Sequence, residues 1–281
     1  MKKITKKSIE RFSEYLKSEE KSTATVEKYI HDVTVFFYWL KGRELSKAAV
    51  IEYKNELTEG YKPTSVNCIL SSLNTFFVFI DRQDCRVKTL KIQRQVFASK
   101  ERELTKAEYE RLLKTALKKN NKRLYLVMQT VCSTGIRVSE LKFITASAVK
   151  SGTAVINCKG KLRQVFLPKS LCRILTQYMN EKKITRGSLF VTGTGKPLDR
   201  SNIWSEMKKL CAEAGVSPGK VFPHNLRHLF ARTYYTTQKD IVRLADIMGH
   251  SSINTTRIYT METGDIHRRQ IERLGLICCI T

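Results

Sequence analysis

Between Pro223 and Tyr259 the chain gathers His224, Arg227, His228, His250 and Tyr259. These are the groups needed to cut and rejoin a phosphodiester without a metal: a hydroxyl nucleophile, a fixed positive charge, and rings that titrate near neutrality. The protein has only five histidines, and three of them fall within residues 224–250. A solvated surface is not expected to concentrate them so. His224 and His228 stand four apart, a spacing that on a helix can bind zinc. The glutamate of the His-Glu-x-x-His pattern is absent, which disfavours a zinc hydrolase. No metal site and no cofactor is expected. His31 and His267 have no companions and read as surface residues.

The partner is suggested by charge. A formal charge of +25, from 51 Lys+Arg against 26 Asp+Glu, points to a polyanion, most commonly DNA or RNA. Residues 1–85 carry 14 basic and 12 acidic side chains, whereas residues 86–281 carry 37 and 14, so the second part is the stronger candidate for gripping phosphates. No long apolar run and no signal-peptide pattern speaks for a membrane. The eight cysteines are scattered, with no Cys-x-x-Cys, and read as free thiols of a reducing cytoplasm.

The periodicity predicts a mainly α chain with one small antiparallel sheet. Residues 5–82 read as four helices, the second over 23–40 with Gly42 just past its end. Residues 86–103 are basic and poorly patterned, a linker. Thr105-Lys-Ala-Glu108 makes a capping box, and a further helix over 122–133 ends near Gly135. Strand-like alternation in 153–158 and 162–167 flanks Lys159-Gly160-Lys161 and predicts a hairpin. A helix over 171–179, a short strand over 189–191 and a helix over 201–214 follow. Short helices over about 224–237, 240–248 and 254–260 carry the histidine segment. The Phe36-Phe37-Tyr38-Trp39 run reads as helix core with one or two exposed rings rather than a base-stacking platform.

Five separated motifs then agree in order: Thr134-Gly-Ile-Arg137-Val-Ser-Glu140-Leu, Lys159-Gly, His224-Asn-Leu-Arg227-His228, Met248-Gly-His250-Ser-Ser and Thr256-Arg-Ile-Tyr259. Across 104–260 the chain resembles the tyrosine site-specific recombinases, or phage-type integrases. It is most similar to short two-domain Xer-type members and compact integrases of bacterial mobile elements. The resemblance implies four parts: a helical SAM-like core-binding domain (1–85), the basic linker (86–103), a catalytic domain (104–260) and a tail (261–281) that docks on a neighbouring protomer. The two domains would form a C-shaped clamp around duplex DNA. The chain enters its core-binding-like helices almost at once, so no arm-site-binding domain is expected.

The same resemblance implies roles. Tyr259 is the nucleophile, forming a 3′-phosphotyrosine. Arg137 and Arg227 stabilise the phosphate, His224 takes the tyrosine proton, His250 hydrogen-bonds the phosphate, and Lys159 protonates the leaving 5′-oxygen. The hairpin is one residue shorter than the common family pattern, which leaves Lys161 as a rival to Lys159. Glu140 and His228 are supporting residues, Glu140 through a helical face shared with Arg137. Arg86, Lys88, Lys91, Arg94, Lys161 and Arg163 are the expected DNA-binding bases, although such bases can also form only a solvated face. The implied partners are duplex DNA with inverted-repeat core sites, three further copies of the chain in a tetramer, and a directionality factor. The implied setting is the bacterial cytoplasm, with the protein on the nucleoid when bound. Two rival readings are a non-catalytic accessory DNA-binding relative and a relaxer like the type IB topoisomerases.

Overall fold

The computed structural model describes residues 4–92, 102–158, 161–260 and 272–274. The chain divides into two compact units, residues 1–94 and 95–281.

The first unit is built from α1 (Lys6–Ser18), α2 (Thr23–Leu40), α3 (Lys47–Gly60) and α4 (Pro63–Phe79). Side chains that satisfy orphan backbone donors start three of them: Thr5 accepts from the Ser8 amide, Ser22 from Thr25 and Ser46 from Ala49. Pro63 opens α4, where its missing N–H is not needed. Phe12, Leu16, Val33, Phe36, Leu70 and Phe76 are fully buried between the helices, while Tyr38 is exposed. Asp32, buried on α2, is held by Lys28 and by the Ser72 hydroxyl at 2.8 Å, so the charge is not left bare.

Residues 86–92, the first part of the expected linker, belong to this unit. Asn74 brackets the backbone of Val87 (3.1 and 2.9 Å) and Asn67 that of Leu90 (2.7 and 2.9 Å). Val87 packs into the core and Leu90 against it, while Arg86, Lys88 and Lys91 point to solvent. Two asparagine amides thus make a strap of a segment whose sequence pattern is poor. Arg94 lies outside the described residues.

The second unit contains α5 (Lys106–Lys118), α6 (Lys122–Thr134), a 3-10 turn (Val138–Phe143), α7 (Ala146–Ser151), β1 (Thr153–Cys158), β2 (Lys161–Phe166), α8 (Lys169–Glu181), α9 (Arg200–Lys208), α10 (Cys211–Ala214), α11 (Pro223–Gln238), α12 (Ile241–Met248) and α13 (Ile253–Thr260). The capping box at Thr105 and Glu108 forms as expected. β1 and β2 pair antiparallel with Ile156 opposite Arg163. Three local expectations are corrected. Residues 189–191 make no strand, because Thr145–Ser188 and Val191–Pro197 are isolated bridges rather than a ladder. The chain breaks at Lys209–Leu210, giving two helices in place of one and bringing Met207, Leu210, Cys211 and Ala214 all into the core. The short α7 was not expected; Thr145 caps it, and it is too brief to show periodicity.

α11 is fixed early in the unit. Asn225 donates to the Arg102 and Lys220 carbonyls (2.7 and 2.6 Å), and Arg232 bonds the Leu104 carbonyl and Glu103. These contacts hold the helix that presents His224, Arg227 and His228, which are three and four residues apart and so share one face.

Candidate active site

α6 ends where Gly135 turns the backbone through φ +66°, a conformation glycine adopts without steric cost. A side chain there would strike the Phe230 ring of α11, 2.4 Å from an ideal Cβ. The close approach lets the Gly135 carbonyl receive Nη1 of Arg227, which is only 1% exposed. Arg137 follows at the start of the 3-10 turn. Its amide donates to Glu140 Oε2 at 2.7 Å and its Nη1 to Oε1 at 2.9 Å. Glu140 therefore supports Arg137 by capping the turn that Arg137 begins, not by sharing a helical face with it.

The carbonyl end of α12 collects the guanidinium groups. Ile247, Met248 and Gly249 have no intrahelical partners for their oxygens, as at any helix C-terminus. Arg163 Nη1 donates to Ile247 at 2.5 Å, Arg227 Nη2 to Met248 at 2.8 Å, and Arg137 Nη2 to Gly249 at 3.3 Å. The negative end of the helix dipole and the buried Glu140 together stabilise three positive charges in one place. Arg227 Nε is buried with no hydrogen-bond partner. Burial, and then the neighbouring Arg137, push the Arg227 pKa down to about 10, while Tyr259 and Glu140 work in the opposite direction.

His250 links this cluster to α13. Its Nε2 lies 2.8 Å from Arg227 Nη2, and its Nδ1 lies 2.8 Å from Thr256 Oγ1. A guanidinium only donates, so Nε2 accepts and Nδ1 carries the proton that goes to Thr256. The ring is neutral in this arrangement. Its pKa falls to about 4, through burial first and then Arg227, Arg137 and Arg163. Tyr259, 3% exposed, stacks on His250 at 5.8 Å and meets His228 edge-on at 4.5 Å and His224 at 6.4 Å between ring centroids. His224 and His228 stand 4.7 Å apart, also edge-on. Burial and His224 bring the His228 pKa down to about 4, and burial with Arg227, Arg200 and Arg137 lowers that of His224. Three imidazoles whose pKa values are all lowered thus surround the Tyr259 ring beside fixed guanidinium charges.

The family model described as the phage integrase family matches residues 102–264, and that of the phage integrase N-terminal SAM-like domain matches residues 9–84. This chain is a tyrosine recombinase of the phage integrase family. Tyrosine recombinase XerA of Thermococcus kodakarensis is 30% identical over 279 residues, covering 96% of this chain and 95% of that protein. The crystal structure of XerA recombinase is similar at 26% identity and a TM-score of 0.53, covering 97% of this chain and 99% of that one. A lambda integrase tetramer bound to a Holliday junction shares the fold at 18% identity and a TM-score of 0.70, covering 90% of this chain and 76% of that one. Site-specific breaking and rejoining of DNA is the activity of this family, and this recombinase is an enzyme of that kind.

In the recombinase, Arg137, Glu140, His224, Arg227, His228, His250 and Tyr259 are brought together in one cluster. Lys159 lies outside the described residues, as does the side chain of Lys161. Arg163, expected among the DNA-binding bases, has a side chain 16% exposed whose two terminal nitrogens are bonded to Glu140 and Ile247. Its register opposite Ile156 turns it to the buried face of the hairpin. Thr256, fully buried, was not foreseen as a site residue, although its position three before Tyr259 puts both on one face of α13. Beside His224, a cleft lined by Arg200, Trp204, Lys208 and Phe222 adds two basic groups that the motifs did not identify. No helix among the described residues is long and apolar enough to cross a membrane, and none of their His, Cys, Asp and Glu side chains form a group of three that could hold a metal ion.

Proposed function

We propose that Tyr259 attacks the scissile phosphate of duplex DNA, with Arg137 and Arg227 holding its non-bridging oxygens. The observation that carries this reading is the convergence on Tyr259 of three histidines and a buried arginine whose Nε has no partner. A guanidinium matches phosphate in charge and in fork geometry, and it stabilises the extra negative charge of the pentavalent state. As the tyrosine oxygen bonds to phosphorus, its proton passes to His224, and the bond to the 5′-oxygen breaks. Lys159, or Lys161 in its place, delivers a proton to that oxygen. The product is a 3′-phosphotyrosine and a free 5′-hydroxyl. A 5′-hydroxyl from a second duplex then reverses the step. The phosphoryl bond is kept throughout, so no nucleotide is consumed.

His250, expected to hydrogen-bond the phosphate, has its ring nitrogens engaged with Arg227 and Thr256, and in this reading it holds Arg227 and α13 at fixed separation. The outward side chains of Arg86, Lys88 and Lys91 and the cleft at Arg200 and Lys208 are offered to flanking phosphates. We further infer that four copies assemble on paired inverted-repeat sites and exchange strands through a Holliday junction. The fold shared with the junction-bound lambda integrase tetramer supports this. An apolar cavity of about 350 Å³, lined by Tyr109, Cys132, Leu229, Phe230 and Tyr234, offers a seat for the tail of a neighbouring copy. The role is integration or excision of a mobile element, inversion of a segment, or resolution of joined replicons in a bacterial cytoplasm, with a directionality factor as an accessory.

The test is covalent trapping. Wild type and Tyr259→Phe are incubated with nicked duplexes built from inverted repeats flanking the gene, and the products are run on denaturing gels. An adduct in the wild type alone is expected. Specific binding without an adduct on a duplex carrying the true site would overturn the catalytic reading in favour of an accessory protein.

A further inference from the structure

Arg163 lies in the hairpin run Lys161-Leu-Arg163, where a base reads as a phosphate contact. Its position in the sheet is incompatible with that. On the same face of the hairpin, Ala154, Ile156 and Val165 are buried at 0, 0 and 5% exposure. A cation on such a face needs partners, and Arg163 has two, Glu140 Oε2 at 2.6 Å and the Ile247 carbonyl at 2.5 Å. A phosphate reaching its terminal nitrogens would have to displace a carboxylate that is 1% exposed.

The geometry points to Arg163 as a positioning residue, one that sets Arg137 and the α12 terminus for phosphate binding through Glu140 and Ile247. The inference rests on the phosphate role proposed above for Arg137. Two physical effects support it. The first is charge. Glu140 is bonded to Arg137 through both oxygens, and alone with it would form a neutral pair. Arg163 shares Oε2 and supplies a second positive charge. The three guanidinium charges of Arg137, Arg163 and Arg227, less the one carboxylate of Glu140, leave two positive charges in the cluster. A phosphodiester carries one negative charge and its pentavalent state two, so the surplus matches the state to be stabilised. The second effect is position. Arg163 ties β2 to the Ile247 carbonyl, one turn before His250. The following carbonyls, of Met248 and Gly249, hold Arg227 and Arg137.

Gly249 completes the arrangement. Its φ of +64° closes α12, and an ideal Cβ there would lie 2.6 Å from Arg163 Cδ and 2.7 Å from Nε. The glycine of Met248-Gly-His250 therefore serves the passage of Arg163 as well as the turn.

The test uses the full-length protein with Arg163→Gln and Arg163→Lys, alongside wild type and Arg137→Ala. Single-turnover cleavage is measured on nicked duplexes whose scissile phosphate is either ordinary or a methylphosphonate, which carries no charge for the clamp to neutralise. A positioning role predicts that DNA affinity and its salt dependence stay at the wild-type level. Cleavage of the ordinary phosphate falls on the order of 100-fold, the effect of a small misplacement of a catalytic group. On the methylphosphonate the Gln variant comes within a few-fold of wild type, as Arg137→Ala does, and the Lys variant lies between. Lys keeps the charge that Glu140 needs but cannot reach both partners, so it carries the test if the Gln variant unfolds. Weaker binding, with a salt slope lower by about one, would make Arg163 a direct phosphate contact and overturn the inference. An equal defect on both duplexes would reduce it to a structural residue. A wild type that binds both duplexes specifically at the true site and forms an adduct on neither overturns the parent reading and this one together.

Discussion

Glu140→Gln is the most informative single change for the cluster's energetics. The carboxylate is 1% exposed and accepts three hydrogen bonds, from the Arg137 amide at 2.7 Å, Arg137 Nη1 at 2.9 Å and Arg163 Nη2 at 2.6 Å. Glutamine preserves volume, but it offers one acceptor oxygen and turns an amide N–H₂ towards a guanidinium donor. Charge-assisted hydrogen bonds contribute about 1.5–3 kcal/mol each, and at least one is lost outright. The guanidinium groups also lose the only carboxylate they contact among the described residues. Breaking a buried ion pair from one side costs roughly 3–5 kcal/mol. Arg137 remains 40% exposed and keeps water as an alternative partner, which favours the lower end, about 3 kcal/mol. For a unit of this size that corresponds to a fall in Tm of roughly 6–12 °C. Thermal unfolding of the full chain, followed by circular dichroism, reads it directly. Single-turnover cleavage of a nicked duplex should fall in parallel, because Arg137 loses the anchor that orients it. A Tm within about 2 °C of wild type, with cleavage intact, would refute the claim that Glu140 balances a buried charge cluster.

Three further outcomes follow from the same geometry. Gly135→Ala adds a Cβ 2.4 Å from the Phe230 ring at a φ of +66°, so it should destabilise the protein by about 2–4 kcal/mol in urea unfolding through combined backbone strain and overpacking. Thr256→Val removes the partner of His250 Nδ1 at nearly constant volume; it should cost about 1 kcal/mol of stability and slow adduct formation while leaving DNA binding unchanged in a gel-shift titration. The His228 and His250 pKa values of about 4 lie below the unfolded value of 6.5, so below pH 6.5 the unfolded chain binds more protons than the folded one. Their contribution is complete above that pH and is lost progressively as pH falls towards 4, so the urea midpoint should drop between pH 7.5 and 5.0; a constant midpoint would contradict the buried, neutral rings.

Much of this was legible in the chain. The capping box at Thr105 and Glu108 marks a helix start because the Thr oxygen and the Glu carboxylate satisfy amides within the same turn, a purely local interaction. His224, Arg227 and His228 were readable as one helical face for the same reason. What stayed hidden depends on backbone acceptors and on facing. No side-chain pattern announces that the carbonyls of Ile247, Met248 and Gly249 receive three arginines. A basic residue in a short hairpin such as Arg163 reads as exposed, whereas register opposite Ile156 turns its side chain inward. Three-residue spacing suggests a helical face for Glu140 and Arg137, but a 3-10 turn capped by the same carboxylate satisfies that spacing equally well. Lys159, Arg94 and most of the tail 261–281 lie outside the described residues, so the expectations attached to them rest on the motifs alone.

The measurement that bears most directly on the central claim is the identity of the covalent bond. Wild-type protein would be trapped on a nicked duplex and digested, and the nucleotide-bearing peptide sequenced by mass spectrometry, with the released DNA end labelled by polynucleotide kinase. The account predicts a nucleotide 3′-phosphate on Tyr259 and a 5′-hydroxyl end that accepts label without phosphatase treatment. A nucleotide on Tyr234 or Tyr235, or an end that must first be dephosphorylated, would contradict it.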